Sequence, residues 1–282
     1  MLVSGCTALI SLAAMQTGTD ASRRRLVPYE DIAMPLMPIA ASPATQESCR
    51  TCRLNSLCLP QNLPHREIDA LARIVRCRRP LPRGAYLFQA GSRFRSIFAI
   101  RTGAVKTATL LPNGSEHISG FHLPGEILGL DAIDGQRHPS ASVTLEKSSI
   151  CEIPFIELEH LGQHTPALQR RLLRIMSREL TAEHGTAHLL SRRSAEQRLA
   201  AALLDLSKRF AHRGLHAERL RLPMSRLDLA NYLGLAPETM SRTVRRLEQR
   251  GLLRIVGKEV ALSDIGSLQE LAHGTHPIHY AP

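Results

Sequence analysis

No tryptophan occurs in this chain of 282 residues, yet 43% hydrophobic content still suits a globular protein with one large domain or two modest ones. No stretch approaches the roughly 18 apolar residues of a helical membrane span, so a membrane protein is not expected. The apolar start M-L-V-S-G-C-T-A-L-I-S-L-A-A-M has no basic segment ahead of it. Arg23, Arg24 and Arg25 follow it instead, which does not read as an export leader. V-S-G-C resembles a lipoprotein cleavage box, but no hydrophobic run precedes it. Without export, the six cysteines are not expected to pair as three disulfides; a reducing cytoplasm with thiols available for metal is expected. A Gly-rich phosphate loop and a nucleophile–base constellation are also missing, so an enzyme is not expected. Acidic residues are few beside basic ones, 25 against 36. The resulting net charge of +11 favours a polyanionic partner.

What is there divides into five segments. Residues 1–47, rich in Ala, Ser, Thr, Pro and Met, are expected to be mostly disordered, and Met1, Met34 and Met37 are the candidate translation starts. Residues 48–63 form a cysteine-rich loop. Residues 64–163 open at Pro64 with a helix whose apolar face is Ile68, Leu71, Ala72 and Val75. Short β-type runs follow at 85–88, 96–101, 105–111, 117–122, 142–145 and 149–153, separated by turn signals such as Asn113-Gly114. That rhythm predicts an antiparallel roll or jelly roll. Residues 164–192 read as one long helix. Leu168, Leu172, Ile175, Met176, Leu180 and Leu189 recur along it, as a core helix or a dimerisation helix would require. Residues 193–282 predict a winged helix-turn-helix. A helix over 195–212 leads to a short strand near 219–222, then to a helix capped by Ser225 and Asp228 with Leu227, Leu229, Ala230 and Leu233 buried. Gly234 breaks it, Pro237 starts a second helix ending at Gly251, and residues 252–256 and 259–262 flank Gly257-Lys258 as a wing.

The second helix carries base-reading chemistry near its start: Glu238, Thr239, Ser241 and Arg242. Arg donates two hydrogen bonds to guanine, Glu accepts from the cytosine amino group, and Ser serves either. Arg245, Arg246 and Arg250 lie further along, where phosphate contacts position a protein without specifying sequence. The plainer reading of Glu238 and Arg242 is an ordinary surface pair one turn apart.

Cys49, Cys52 and Cys58 follow C-x2-C-x5-C, three thiols from one loop, and Cys151 lies far downstream in S-I-C-E-I-P-F. Thiolates suit iron–sulfur clusters and structural zinc alike. Zinc sites usually pair two C-x2-C knuckles, and only one is present. Cys151, between Ile150 and Ile153, reads equally as a fourth ligand or as a core thiol. Cys77, beside an arginine run at a helix end, and Cys6 are given no role, and His273, His276 and His279 read as a solvated tail.

The chain resembles the fumarate and nitrate reduction regulator (FNR) branch of the cyclic-AMP receptor protein (CRP) superfamily from about residue 49 to about 272. The resemblance rests on the three-cysteine loop, G-F-H-L-P-G-E at 120–126, H-P-S at 138–140, C-E-I-P-F at 151–155 and P-E-T-M-S-R at 237–242. It implies an α+β fold: β-roll, dimerisation helix and winged helix-turn-helix. It implies an oxygen-labile 4Fe–4S cluster on Cys49, Cys52, Cys58 and Cys151. It also implies Glu238, Ser241 and Arg242 as readers of a palindrome similar to TTGAT-N4-ATCAA in double-stranded DNA. A homodimer along Leu172, Ile175, Met176 and Leu180 is implied, with Glu183 facing its own copy and keeping the cluster-free form monomeric. RNA polymerase is a further expected partner, through loops such as Leu111–Glu116. The Arg-Ser pair that holds the cyclic phosphate in the cyclic-nucleotide branch is missing. The region reads G-Q-R-H-P-S-A-S around Arg137, so cyclic AMP binding is not expected. The alternative is a regulator of the same fold that senses a small effector, its cysteines holding zinc or no metal.

Overall fold

The computed structural model describes residues 48–77, 79–192 and 194–273, without the side chains of Glu183 and of residues 185–192. Cys6, Met34, Met37, His276 and His279 lie outside the described residues.

The chain passes from a turn-rich loop into helix α1 (His65–Ile74), which buries Ile68 and Leu71. Eight strands follow: β1 (Arg76–Cys77), β2 (Tyr86–Phe88), β3 (Ser96–Thr102), β4 (Val105–Leu110), β5 (Glu116–His122), β6 (Ile127–Leu128), β7 (Ala141–Thr144) and β8 (Ser149–Pro154). They form two antiparallel four-stranded sheets, β1-β8-β3-β6 and β2-β7-β4-β5. β3 is buried from Ser96 to Ile100, because it lies inside its sheet and is covered on both faces. Phe88 stacks on His138 at 3.9 Å and on Phe98 at 5.8 Å inside the roll.

Among the elements that differ from the periodicity reading is β6, a two-residue strand where no β-type run was expected. Cys77 is not at a bare helix end: it lies on β1, paired with β8. The segment after β8 is helical, α2 (Phe155–Gln163). Nine residues with Leu158 and Gly162 as their buried positions give too little periodicity to stand out.

Helix α3 (Pro166–Arg192) runs 27 residues. Its inner face buries Leu168, Arg171 and Ile175, with Leu172 packed beside them against α1, α2 and the cysteine loop. Leu173 (64% exposed), Met176 (36%) and Leu180 (57%) form an outer apolar face. Of the expected seam, Leu172 and Ile175 therefore serve this chain's own core, because the helix packs along that stripe. Met176 and Leu180 face outward. Glu183 is on α3, but its side chain lies outside the described ones.

α4 (Ala195–Ala211) starts at a capping box, with Ser194 and Gln197 satisfying each other's backbone N–H groups. Then come β9 (Arg219–Arg221), α5 (Arg226–Tyr232), α6 (Pro237–Gln249), the hairpin β10 (Leu253–Val256) and β11 (Glu259–Leu262), and α7 (Ile265–His273). The sheet order β10-β11-β9 makes the wing. α5 starts at a second capping box, Ser225 with Asp228. Leu229, Ala230 and Leu233 are buried there, but Leu227 is 65% exposed. It sits about 200° around the helix from Leu229, so a helix this short cannot bury both.

The helix-turn-helix unit docks on β5 through polar contacts. Asn231 accepts from the Ile118 N–H (2.8 Å) and donates to the Glu116 carbonyl (2.7 Å). Lys106 bridges Asp228 (3.0 Å) and Glu116 (2.9 Å). Glu126 accepts from Arg209 (2.7 Å) and Arg213 (2.6 Å). Burial pushes the Glu126 carboxyl up, but the two guanidiniums outweigh it and hold it below its ordinary range.

His122 lies against this network with Nε2 3.0 Å from Thr107 Oγ1, and burial pushes it down to about 4. The unfolded chain then takes up a proton near the ordinary value of about 6.5, where the folded chain does not. Stability from this residue is thus complete above about pH 6.5 and falls as pH drops towards 4, by up to about 3 kcal/mol. His122→Gln should flatten the urea midpoint over that window. An unchanged pH dependence in the variant would exclude His122 as the cause.

Candidate metal centre and nucleic-acid interface

The cysteine loop is built from consecutive turns. The Cys52 N–H donates to the Ser48 carbonyl (3.1 Å), Asn55 N–H to Cys52 (3.0 Å) and Cys58 N–H to Leu54 (2.8 Å). The Asn55 side chain donates to the Cys49 carbonyl (2.9 Å), and Arg50 pairs with Asp69 of α1 at 2.9 Å. Gly125, at φ +93, lies where the loop crosses the L-P-G-E turn; a Cβ there would come within 2.9 Å of Leu57 Cβ.

Cys49, Cys52, Cys58 and Cys151 all line one small pocket of about 40 Å³. Its walls include Leu54, Leu59, Leu71, Val75, Ala99 and Ile153. Among the described residues, no three His, Cys, Asp or Glu are grouped as ligands of a single ion, and no disulfide joins the described cysteines. Burial pushes the Cys49 thiol up to about 11 and the Cys58 thiol up to about 12. Cys151 is raised by its contact with Cys77 and by burial. A cation among such thiols favours their thiolate forms, so binding one releases protons. Four soft donors around an apolar pocket fit an iron–sulfur cluster, whose body spreads its ligands more widely than one ion does.

Sequence spacing does not reveal Arg171. It projects from α3 and is 6% exposed, and its Nη2 donates to the carbonyls of Leu57 (3.0 Å) and Cys58 (2.9 Å). In the sequence it is one of several arginines on a helix; its partners are backbone carbonyls, which leave no trace in composition. Cys77 is equally hidden: its Sγ lies 3.9 Å from that of Cys151.

On the other unit, α6 turns Met240, Thr243, Val244 and Leu247 inward. Its outer face presents Glu238, Ser241, Arg242, Arg245 and Arg246. Thr239 is half-buried and its carbonyl accepts from Thr243 Oγ1 (2.8 Å). Arg242 Nε reaches the Glu238 carbonyl at 3.4 Å, which leaves the rest of its guanidinium fork outward. Arg246 and Arg250 approach Glu196 of α4 at 3.7 and 3.1 Å. Pro237 at the first turn and Gly234 at φ +61 set the angle between α5 and α6.

Residues 197–271 match the Crp-like helix-turn-helix domain, and residues 78–164 match the cyclic nucleotide-binding domain. The chain is 46% identical over 229 residues to the transcriptional activator protein FnrA of Stutzerimonas stutzeri, covering 81% of this chain and 94% of the relative. It is 40% identical over 230 residues to the fumarate and nitrate reduction regulatory protein of Escherichia coli strain K12, covering 82% and 92%. The chain belongs to the FNR branch of the CRP/FNR regulators. As an FNR-branch protein it is a DNA-binding transcription regulator and not an enzyme. Among solved structures it is similar in fold to FixK2 from Bradyrhizobium japonicum, with TM-score 0.66 and 27% identity over 72% of this chain and 100% of that one. No helix among the described residues is long and apolar enough to cross a membrane.

Proposed function

We propose that this chain is an oxygen-responsive transcription activator of the cytoplasm. In this reading Cys49, Cys52, Cys58 and Cys151 hold a 4Fe–4S cluster, and a homodimer reads a palindrome similar to TTGAT-N4-ATCAA. The observation that carries the reading is the convergence of these four thiols on one apolar pocket beside α3. The names of the relatives, a transcriptional activator and a regulator of fumarate and nitrate reduction, support it.

Bound there, the cluster would supply an oxygen-labile cross-link between the loop and the sheet. Cys151 anchors the sheet side on β8, and the other three thiols come from the turn-rich loop. Arg171 is the positioning residue: it ties the loop carbonyls to α3, so a displacement of the loop is passed to that helix. The outer face of α3, with Leu173, Met176 and Leu180, is then the apolar seam for a second copy. Glu183 is assigned to the same seam, where two carboxylates in a symmetric parallel pair repel one another. Glu183→Ala protein should therefore run as a dimer in air on gel filtration. A strictly monomeric variant under oxygen would remove Glu183 from the mechanism.

Two copies place two α6 helices on two half-sites, with Glu238, Ser241 and Arg242 reading bases, Thr239 beside them, and Arg245 and Arg246 on phosphates. The loop Leu111–Glu116 presents the RNA polymerase contact; Leu111 is exposed, whereas Glu116 is engaged with Lys106. Gel filtration and operator binding in parallel, without oxygen and in air, test the whole reading. Dimer and tight binding only without oxygen is the expected outcome; equal binding in both atmospheres would overturn it.

A further inference from the structure

We propose that Cys77 and Cys151 form a reversible disulfide in the cluster-free protein, which withdraws Cys151 from the thiol pocket. Strand register puts them together: Cys77 is the direct partner of Cys151 across the antiparallel β1–β8 pair. Directly opposed residues project to the same face of a sheet with Cβ atoms about 4.5–5.5 Å apart. Their Cα separation, about 4.5 or 5.5 Å by pair type, lies within the range a disulfide spans. The two Sγ atoms are already 3.9 Å apart. Closing to a bond of about 2.05 Å asks for side-chain rotation and a small shift of β1, a two-residue strand at the sheet's edge.

Exposure sets the order of events. Cys77 is exposed, whereas Cys49, Cys52, Cys58 and Cys151 are each part-buried. A peroxide therefore meets Cys77 first. The Cys77 sulfur bonds to one peroxide oxygen as the O–O bond breaks, giving a sulfenic acid and one water. The Cys151 sulfur then attacks that sulfur. The S–S bond forms, the S–O bond breaks, and a second water leaves. Two thiols lose two electrons and two protons, and one hydrogen peroxide becomes two waters. A dithiol reductant returns the pair to thiols.

The pairing stands on register and distance alone. Its consequence rests on the cluster reading: Cys151 is the sheet's thiol in the pocket, so its loss leaves the loop cysteines without their anchor. Loss of the cluster to oxygen would then be followed by a thiol lock that must be reduced before the site reloads.

The test uses the full chain stripped of metal without oxygen, given one equivalent of hydrogen peroxide and then alkylated in denaturant. It is mapped without reduction, using a protease that does not cut at arginine. A Cys77–Cys151 linkage as the main disulfide, reversed by dithiothreitol, is expected. In Cys77→Ser protein, Cys151 should stay alkylatable. Alkylated Cys77 in the treated wild type, or Cys151 joined to a loop cysteine instead, would overturn the proposal. Iron content separates this from the cluster reading. Wild type and Cys77→Ser should both hold about four irons when purified without oxygen. No iron in either would sink the cluster while the mapping still decides the disulfide. Iron lost only in Cys77→Ser would make Cys77 a ligand and overturn the lock.

Discussion

Cys151→Ser protein, purified without oxygen, is expected to hold almost no iron and to bind the palindrome about 10²–10⁴-fold more weakly than wild type. Cys151 is the pocket thiol carried by a sheet, while the other three candidate ligands share one turn-rich loop. Without it no candidate ligand ties that loop to β8, and the free energy of ligation can no longer bias the helix the loop is bonded to. The affinity loss follows from avidity: a chain that stays monomeric presents one reading helix where two are needed. Cys77→Ser is the paired control, since it alters the neighbouring thiol on the edge strand. Iron at the wild-type level in Cys151→Ser would show that the fourth ligand lies elsewhere.

Arg242→Ala is expected to give the second large effect. A good bidentate contact is worth about 1–3 kcal/mol of discrimination at one base, and a dimer makes it twice. The specific complex should weaken by about 2–6 kcal/mol, roughly 30-fold to 10⁴-fold, while binding to unrelated DNA changes far less. Arg245→Ala should behave differently. It should weaken all sequences alike and lower the salt slope by about one for each phosphate no longer neutralised. Equal losses on specific and unrelated DNA for Arg242→Ala would move that residue from base reading to the backbone.

Local chemistry makes part of this structure readable from the chain. The turn at Gly234, the proline start of α6 and the Ser225–Asp228 box are contacts within a few residues, so their signals sit side by side in the sequence. The strand rhythm of the roll is legible for the same reason. What stays hidden depends on residues far apart. Cys77 and Cys151 are 74 positions apart and meet through strand register, which spacing does not encode. Arg171 holds carbonyls more than a hundred residues upstream. On α3 the apolar stripe is visible, but not the division by which Ile175 packs inward and Leu180 outward. That division depends on where α1, α2 and the loop cover the helix. Leu227 is exposed against its apolar character because a seven-residue helix has one buried edge, and composition does not say which.

An oxygen-labile cluster on these four cysteines is tested most directly by its composition. Iron and acid-labile sulfide should be measured on protein purified without oxygen, and the visible spectrum then followed as air is admitted. About four irons and four sulfides per chain are expected, with absorbance lost quickly in air. Zinc in place of iron, or no metal at all, would contradict it. The DNA-binding unit would remain, and the signal would have to be a small effector instead.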